Sequence, residues 1–600
     1  MPSVLLALLA SLLAVVLLLL PMRAAFATVV VSLLLIPATL PVPNPITDYL
    51  TVTRLLVVVM ALRLFVAVRL GRLPRRTLQW TSLHTAFAIF LGATFLAGVI
   101  LAAPTTSLDG TTTQWYDLVD QFVFFVVAVG YVRAIGDLRF VLGVVAVALL
   151  ASVGAALIEH ATGGSWGHWL FSFQRVGADA AHPLEIRAGS VRVRAAAEFA
   201  LEFGWITVIL LPALLAWLAG LRRWLVPSFL LVGVVLLAEY WSYSRTALAA
   251  FGVIALVTAL AARERRMVLF AGAGLAIGIA VFTLAHSLQT GYVGLPSGYV
   301  DVRVNRLPQI FQLAAAHPFN GLGLSGLSSS GVPTTDTSYL QIYGDTGLLG
   351  LVTALALLVT AAGSAVPALR SAVAGERLAG AAAFASAVAM ILAGIATDSI
   401  RPLTSARSFW LMAAVGLVAS ERMVGRLPAI VPRRGRIVIG TLLATELAAW
   451  VVVAVSPVHF AHEFQFSTLP TSREARAVVD PFTVGTRLVN TVCGLVKSVG
   501  EEEVRGGRFD CRNPEIAAGV GALRVQGFTR AEVDTGEQRV TEKIAAAGIV
   551  GFHLFPEAGV QSGRDTAVAW APFWAPAFAL LVLLLVPLPP PTGGRIAHRD

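Results

Sequence analysis

The sequence predicts an all-α, polytopic membrane protein with about fifteen transmembrane helices. Hydrophobic residues make up 57% of the 600 residues and charged residues only 13%, about half the charged fraction of an average globular protein. The mean hydropathy is +0.79. These values exclude a disordered protein, a fibrous protein and a cytosolic enzyme with a single anchoring helix, because most of the chain requires apolar surroundings.

The individual spans follow from apolar runs of roughly 20 residues, the length that crosses a bilayer as a helix. The N-terminal run lacks the positively charged start of a signal peptide, so we interpret it as a span. The predicted spans are 3–20, 24–41, 50–69, 84–103, 119–136, 140–158, 199–219, 224–240, 244–262, 267–285, 345–367, 378–397, 408–421, 437–455 and 571–586.

Arginines in the short loops predict the orientation, because cytoplasmic loops are enriched in positive charge. With fifteen spans these loops fall on one side of a cell (inner or plasma) membrane, with the N-terminus outside and the C-terminus cytoplasmic. The net charge of +10 then has a topological origin, and no nucleic-acid partner is expected. Arg401 and Arg407 are exceptions on the outer side. The loop arginines are Arg23, Arg69, Arg72, Arg75, Arg76, Arg133, Arg139, Arg222, Arg223, Arg263, Arg265, Arg266, Arg370, Arg377, those from Arg422 to Arg436, Arg595 and Arg599.

Three longer segments face outward in this topology, and long loops commonly carry function. They are 159–198, 286–344 and 456–570. The predicted division is 1–198 for the N-terminal helices, 199–455 for the transmembrane core, 456–570 for a small extracytoplasmic domain, and 571–600 for the last helix and the tail.

Both cysteines of the chain, Cys493 and Cys511, lie in the predicted extracytoplasmic domain. An outward location is oxidising, so we expect a disulfide between them. Closing this loop would stabilise the domain by roughly 3 kcal/mol in the chain-entropy model. The alternative is two unpaired, buried cysteines.

Arginines on the predicted outer side are informative because the charge rule disfavours them there. Arginine binds phosphate through two hydrogen bonds and remains charged, so a cationic rim would suit a diphosphate headgroup at the membrane surface. Contact with ordinary lipid phosphates, or solvation in the loops, is the alternative. The outward arginines are Arg175, Arg187, Arg192, Arg194, Arg245, Arg303 and Arg306.

The stretch from Arg303 to Gly350 carries an ordered series of motifs. The order resembles the signature region of the O-antigen ligase and polymerase superfamily, and Ser244-Arg245 resembles its upstream Ser-Arg. The clear match covers about 242–350, with weaker agreement from 192. The matching elements are Arg303, His317-Pro318, Gly321 and Gly323, Asp336-Thr337 before Tyr339-Leu340, and Gly347-Leu348-Leu349-Gly350.

The resemblance implies a GT-C-like membrane glycosyltransferase in polysaccharide biosynthesis of the cell envelope. It implies transfer from a polyprenyl-pyrophosphate glycan, such as an undecaprenyl pyrophosphate, to an acceptor hydroxyl on the outer face. The implied partners are this donor, a glycan, lipid or other hydroxyl acceptor, and membrane lipids. Two departures from the pattern are Leu307, where a Trp is common, and Asp336, where the ligases have His. The Asp form favours a polymerase over a ligase.

Within that reaction, Arg245 and Arg303 would stabilise charge on the leaving pyrophosphate. Asp336 is the candidate base for the acceptor hydroxyl, and a turn or helix cap is its structural alternative. His317 is the rival base. No aspartate-rich metal motif is evident, so we expect a metal-independent reaction without a cofactor. The expected substrate-binding residues are Arg306, Arg194, Arg192, His317, Glu202 and Tyr339.

Carboxylates within the apolar runs also call for an explanation, since charges there are costly and usually paired or functional. Glu202 and Glu239 lie near predicted outer span ends, where they could orient the arginines. Asp345 is expected to cap the eleventh span.

Two other classes of protein fit part of the sequence. A transporter or lipid-linked oligosaccharide flippase would suit fifteen spans, but its ionisable groups are expected near the membrane midplane, not at one face. A scaffold that displays the 456–570 domain would leave the motifs between Arg303 and Gly350 unexplained.

Overall fold

The computed structural model is predominantly helical. It describes residues 2–42, 51–101, 108–172, 186–187, 190–220, 225–264, 317–324, 326–329, 337–397, 400, 402–424, 461–467, 520–526 and 553–557.

The N-terminal part consists of seven helices among the described residues. Asp137 begins α6 by accepting a hydrogen bond from the Phe140 amide, 3.1 Å away, and Gly163 ends it in the left-handed conformation. The helices are α1 Pro2–Leu19, α2 Met22–Leu35, α3 Val52–Arg69, α4 Ser82–Phe95 with a π-turn at Leu96–Ile100, α5 Leu108–Ile135, α6 Leu138–Thr162 and α7 Trp166–Ser172.

The second half of the described membrane region adds longer helices around one short turn. They are α8 Ala200–Gly220, α9 Leu225–Trp241, α10 Arg245–Ala262, α11 Gly326–Ser329, α12 Ser338–Ala365, α13 Ala374–Ala396 and α14 Leu403–Met423. Short 3-10 turns lie at Arg75–Leu78 and Pro367–Arg370.

Seven stretches of the described chain are long and apolar enough to cross a membrane, by length and composition alone. Twelve predicted spans each coincide with a described helix, whereas 267–285, 437–455 and 571–586 lie outside the described residues. The predicted total of fifteen spans is therefore not confirmed. The seven stretches are Arg75–Val99, Gln114–Ile135, Leu138–Thr162, Ala200–Gly220, Ser338–Arg370, Ala374–Ala396 and Leu403–Met423.

The helices α8, α13 and α14 form the centre of the helical body, and the apolar window of α14 is entirely buried. Small side chains allow the close approach of these helices. A β-carbon added at Gly416 would lie 2.5 Å from that of Ala383, and one at Gly380 would lie 2.6 Å from that of Ala368. Ser386 on α13 also donates to the Ile209 carbonyl of α8, at 2.7 Å.

Several loop arginines meet at one end of the helices, as the charge pattern predicts. Arg133 pairs with Glu421, Arg23 lies 3.8 Å from Asp137, and Arg377 lies 3.6 Å from Glu264. We define this as the arginine end. Its assignment to the cytoplasmic side remains a prediction.

The prediction that Arg407 lies in an outer loop is wrong, because α14 begins at Leu403 and includes it. Its side chain is buried and pairs with Asp120 of α5 at 2.5 Å. The apolar run alone places the helix start too late, since a paired arginine is tolerated within a helical span.

Short strands are an addition to the predicted all-α fold. In the predicted outward loop 159–198, β1 Ile186–Arg187 pairs with β2 Ser190–Val191. Within the segment 456–570, the strands β3 Ala461–Ser467, β4 Val520–Gln526 and β5 His553–Glu557 form one antiparallel sheet in the order β4-β3-β5. Cys493 and Cys511 lie outside the described residues, so their pairing, like the domain division, remains a prediction.

Candidate functional site

The helix α12 is broken near its start, at a glycine of the motif series. Gly347 has φ 63° and ψ −161°, a conformation that essentially only glycine adopts. The chain therefore forms a first half up to Thr346 and a second half that begins at the break. This interruption exposes backbone amides and carbonyls that the helix no longer uses.

The segment 317–324 satisfies these backbone groups from outside the helix. Leu322 and Gly323 donate to the carbonyls of Gly344 and Asp345, both at 2.9 Å. In the other direction, the amides of Leu348 and Leu349 donate to the carbonyls of Pro318 and Phe319, at 2.8 and 3.2 Å. The His-Pro, Gly-x-Gly and Gly-Leu-Leu-Gly motifs are thus parts of one hydrogen-bonded unit.

Glycine at two motif positions is required by close backbone approach. A β-carbon at Gly321, where φ is +66°, would lie 2.5 Å from the Asp345 carbonyl carbon and the Thr346 nitrogen. One at Gly347 would lie 2.6 Å from the Asn320 nitrogen. These distances are below any normal contact, so a larger residue would push the two segments apart.

Asp345 holds this unit together and does not cap a span, which corrects the prediction. The helix starts seven residues earlier at Ser338, and the Asp345 side chain is fully buried. Its carboxylate accepts the Leu327 amide at 3.0 Å and the Gln341 side-chain amide at 3.2 Å. Asp345 therefore ties the short turn α11 to the first half of α12.

The start of α12 is fixed against α13. The Tyr339 hydroxyl donates to the Ile391 carbonyl at 3.0 Å, and the Ser338 hydroxyl donates to the Thr397 carbonyl at 3.1 Å. The carbonyl of His317 accepts the Gly321 amide at 2.8 Å, which forms the turn before the Gly-x-Gly motif. Asp336, Arg303 and Arg306 lie outside the described residues.

A second polar cluster is built around Glu159, near the end of α6. Its carboxylate accepts three backbone hydrogen bonds, from Trp166 at 2.6 Å, Arg194 at 2.7 Å and Ala195 at 2.8 Å. Only 1% of Glu159 is exposed. Hydropathy alone does not indicate this role, because Glu159 lies at the border of an apolar run and a predicted outward loop.

Arg194 points into the protein, which differs from its predicted place on an open cationic rim. Its guanidinium donates to the Ser165 hydroxyl at 3.1 Å and to the Glu198 carbonyl at 3.2 Å, and the residue is 2% exposed. Arg192 is partly exposed, and its Nε donates to the Ser242 carbonyl at 3.0 Å. The Arg194 side chain therefore stabilises the loop from inside the protein and exposes almost none of its surface to solvent.

The turn between α9 and α10 brings Arg245 next to this cluster. The Val193 amide donates to the Trp241 carbonyl at 3.3 Å, parallel to the Arg192 bond. Ser244 then occupies the N-cap position, and Arg245 is the first residue of α10. The Arg192–Arg194 stretch and the Ser-Arg motif therefore lie side by side, as their joint assignment to one site requires.

Glu202 and Glu239 do not orient the arginines in the described part of the chain, contrary to expectation. Glu202 accepts the amides of Glu198 at 2.8 Å and Ser405 at 3.1 Å, which joins α8 to the start of α14. Glu239 accepts the Thr207 hydroxyl of the neighbouring α8. Glu202 thus connects α8 to α14, and Glu239 connects α9 to α8. Neither of these contacts is an ion pair with an arginine.

Sequence reasoning also missed two buried ion pairs on α5. Arg407 binds Asp120, and Arg54 binds Asp117 while its guanidinium lies 4.4 Å from the Tyr116 ring centroid. The available signal was two carboxylates three residues apart at the start of an apolar run. A small cavity with space for water-sized molecules lies beside Asp117, and its other walls include Leu324, Ile342 and Thr346 of the broken-helix unit.

Both clusters lie at the end of the helices opposite the arginine end. Glu202 links α8 to Ser405 at the start of α14, and the Ile400 amide donates to the Ser338 hydroxyl at the start of α12. We define this as the polar end. Among the described residues, no group of three His, Cys, Asp or Glu could hold a metal ion, and the expected metal independence remains a prediction.

A broken helix and a cluster of buried polar groups at one end of an apolar bundle define a helical membrane protein with a candidate site at one end of its helices. Residues 236–355 match the sequence model of a family described as O-antigen ligase. The match includes the Ser-Arg turn and the whole broken-helix unit, so the resemblance to the O-antigen ligase superfamily is confirmed for this part of the chain. A search of curated proteins gave no match.

Proposed function

We propose that the protein is a membrane glycosyltransferase that transfers or polymerises a glycan from a polyprenyl-pyrophosphate donor on the outer face of the membrane. The observation that carries this proposal is the family match over 236–355. The helix that starts at Arg245 and the broken-helix unit both belong to the matched region, and both lie at the polar end of the bundle.

The reaction requires that the acceptor oxygen form a bond to the anomeric carbon of the donor. The bond from this carbon to the pyrophosphate oxygen breaks, and the polyprenyl pyrophosphate leaves with the bonding electrons. Negative charge grows on the bridging oxygen, so fixed cations near it stabilise the transition state. We assign this role to Arg245 and Arg303, with Arg306 and Arg192 in support.

The proton of the acceptor hydroxyl needs a base. We assign Asp336 to this role, with His317 as the rival, because Asp336 lies two residues before Ser338, the first residue of α12. The Tyr339 hydroxyl already donates to Ile391, so we assign Tyr339 to holding this helix start. The acceptor is a second glycan in the favoured polymerase form of the reaction. The reaction proceeds without a metal or a cofactor.

Purified protein in nanodiscs, supplied with a polyprenyl-pyrophosphate oligosaccharide, tests this proposal. We expect release of free polyprenyl pyrophosphate together with a ladder of products at multiples of the donor glycan. A single transfer that depends on an added acceptor would indicate a ligase. Absence of release with every donor and acceptor would contradict the proposal and favour a transporter or flippase.

Arg245→Ala and Arg303→Ala should each lower turnover by about 100-fold or more, the usual effect of removing one group that stabilises a developing oxyanion. Arg139→Ala is the matched control, because Arg139 is exposed in the first turn of α6 at the arginine end. The control should keep wild-type turnover. Near-normal activity of both Arg245→Ala and Arg303→Ala would refute the assignment of these two arginines to the leaving pyrophosphate.

A further inference from the structure

Glu159 is the common acceptor for two separate pieces of the outward loop. Its Oε1 accepts from Trp166, at the start of α7, and its Oε2 accepts from both Arg194 and Ala195. Hydrogen bonds to a buried carboxylate are shorter and stronger than those between neutral groups. These three bonds fix the path of the 194–195 backbone relative to α6.

Backbone strain is concentrated at the same place. Among the described residues, Ala195, Tyr243 and Arg263 are the only non-glycine residues with positive φ. Arg263 is the C-cap of α10, a common position for this conformation. Ala195, with φ 50°, and Tyr243, with φ 55°, flank the Arg192–Ser242 and Val193–Trp241 bonds. Strain of this kind persists only where surrounding contacts enforce it, and it concentrates at functional sites.

The strained loop and the Ser-Arg turn are one mechanical unit. The Val193 amide and the Arg192 guanidinium bind the carbonyls of Trp241 and Ser242. Two residues later the chain reaches Ser244 and begins α10 with Arg245. A change in the path of residues 194–195 is therefore passed to the start of α10 through residues 192–193.

We propose that Glu159 is a positioning residue that holds this unit and thereby sets where Arg245 and Arg192 meet the donor pyrophosphate. This inference rests on the proposed function, and neither the family match nor the sequence motifs include Glu159. Misplacement of a charged catalytic group by about 1 Å is enough to lower a rate by about 100-fold. Glu159 therefore contributes to turnover without touching the substrate.

Glu159→Gln is the decisive substitution, because glutamine has nearly the same side-chain shape as glutamate but one acceptor oxygen instead of two. A carboxamide has one oxygen, so its NH2 group must face either the Trp166 amide or the pair formed by Arg194 and Ala195. Either arrangement places donors against donors. We expect turnover to fall about 10- to 100-fold, with a much smaller change in the KM for the donor.

Ala195→Gly provides the rescue that separates positioning from direct chemistry. Glycine adopts positive φ without a steric penalty, so the loop keeps its path with weaker support from residue 159. The single variant should have nearly wild-type turnover, and Glu159→Gln/Ala195→Gly should recover most of the lost activity. Failure of the rescue would mean that Glu159 does not act through the path of the 194–195 backbone, and would overturn the inference.

Glu421→Gln is the matched control for a general loss of stability. It removes the partner of Arg133 at the arginine end, far from the loop. This variant should unfold at a lower temperature than the wild type but keep its turnover. A parallel fall of turnover in Glu421→Gln and Glu159→Gln at equal thermal stability would contradict the positioning role.

Hydrogen exchange measured on the full-length protein tests the geometry without the reaction. Glu159→Gln should speed exchange of the amides of Trp166, Arg194 and Ala195, and also of Val193, while exchange in α13 stays unchanged. Unchanged exchange in the loop would overturn the inference even if activity falls. If the wild type itself releases no polyprenyl pyrophosphate, the proposed function fails, and the exchange data then reveal separately whether Glu159 holds the loop.

Discussion

At the scale of single residues, the buried carboxylates of the polar end offset the cost of a charge in an apolar medium with several kinds of partner. Glu159 and Glu202 accept backbone amides, whereas Asp120 pairs with an arginine. Glu239 accepts a hydroxyl on one oxygen, and its other oxygen has no hydrogen-bond partner among the described residues. Gly204 leaves room for that oxygen, since a β-carbon there would approach it to 2.8 Å.

Asp120→Ala should be among the most destabilising single substitutions in the chain. Arg407 is 2% exposed and its guanidinium donates to Asp120 at 2.5 and 3.1 Å, so the substitution leaves a buried charge without its partner. Loss of one partner of a buried pair costs about 3–5 kcal/mol. Thermal unfolding in detergent or nanodiscs should show a lower Tm.

The double substitution Asp120→Leu/Arg407→Leu is the control for this pair. Removing both charges avoids the unpaired ion, and buried pairs replaced by apolar residues are often neutral or more stable. The double variant should therefore unfold at a higher temperature than Asp120→Ala. A double variant that is less stable than Asp120→Ala would show that the pair has a further role, such as holding the neighbouring cavity open.

At the scale of elements, the broken helix depends on a backbone conformation that only one residue type can adopt. Gly347→Ala would force a β-carbon into the Phe319–Asn320 backbone and into a conformation that alanine avoids. We expect the segment 317–324 to separate from α12. Turnover should fall to background and the Tm should fall as well.

Gly363→Ala is the matched control, because Gly363 lies in the same helix with nothing within 4 Å of an added β-carbon. Alanine is favoured over glycine inside a helix by about 0.5–1 kcal/mol, so this variant should be slightly more stable and fully active. Wild-type turnover in Gly347→Ala would show that the break in α12 is dispensable for the reaction.

The order of the motifs could be read from the sequence, but their physical role could not. Hydropathy and helix propensity are local properties, and they predict a turn near Gly321 and a helix near Gly347. The hydrogen bonds of Leu322 and Gly323 to Gly344 and Asp345 join positions more than twenty residues apart. No local pattern marks such pairing, so Asp345 was misread as a cap.

At the scale of the whole molecule, the helices were the predictable part and the partners of charged residues were not. Apolar runs located twelve helices, because burial in an apolar medium imposes length and composition, but they placed the starts of α5 and α12 eleven and seven residues too late. The pairing of Asp120 with Arg407 spans 287 positions of sequence. The role of Glu159 was missed because its hydrogen-bond donors are backbone amides, and no residue type in the sequence marks such a donor.

The two ends of the bundle differ in charge, which makes the orientation testable. The arginine end holds Arg133 with its bonds to the carbonyls of Thr77 and Gln79, and the Arg377–Glu264 pair. The polar end holds Glu159, Glu202 and the broken helix. The proposed reaction takes place on the outer face and therefore requires that the polar end face outward. The positive-inside rule predicts the same orientation, because it assigns the arginine end to the cytoplasm.

Cysteine accessibility in intact cells measures this orientation. In a variant with Cys493 and Cys511 replaced by Ser, Ala161→Cys places a thiol on the exposed end of α6, and Ser82→Cys places one at the exposed start of α4. A membrane-impermeant maleimide should label the first in intact cells and the second only after permeabilisation, because Ala161 adjoins the polar end and Ser82 the arginine end. The cysteine-free parent should remain unlabelled under both conditions. The reverse labelling would place the polar end in the cytoplasm and the arginine end outside, against the positive-inside rule. The proposed site would then require a donor on the cytoplasmic side.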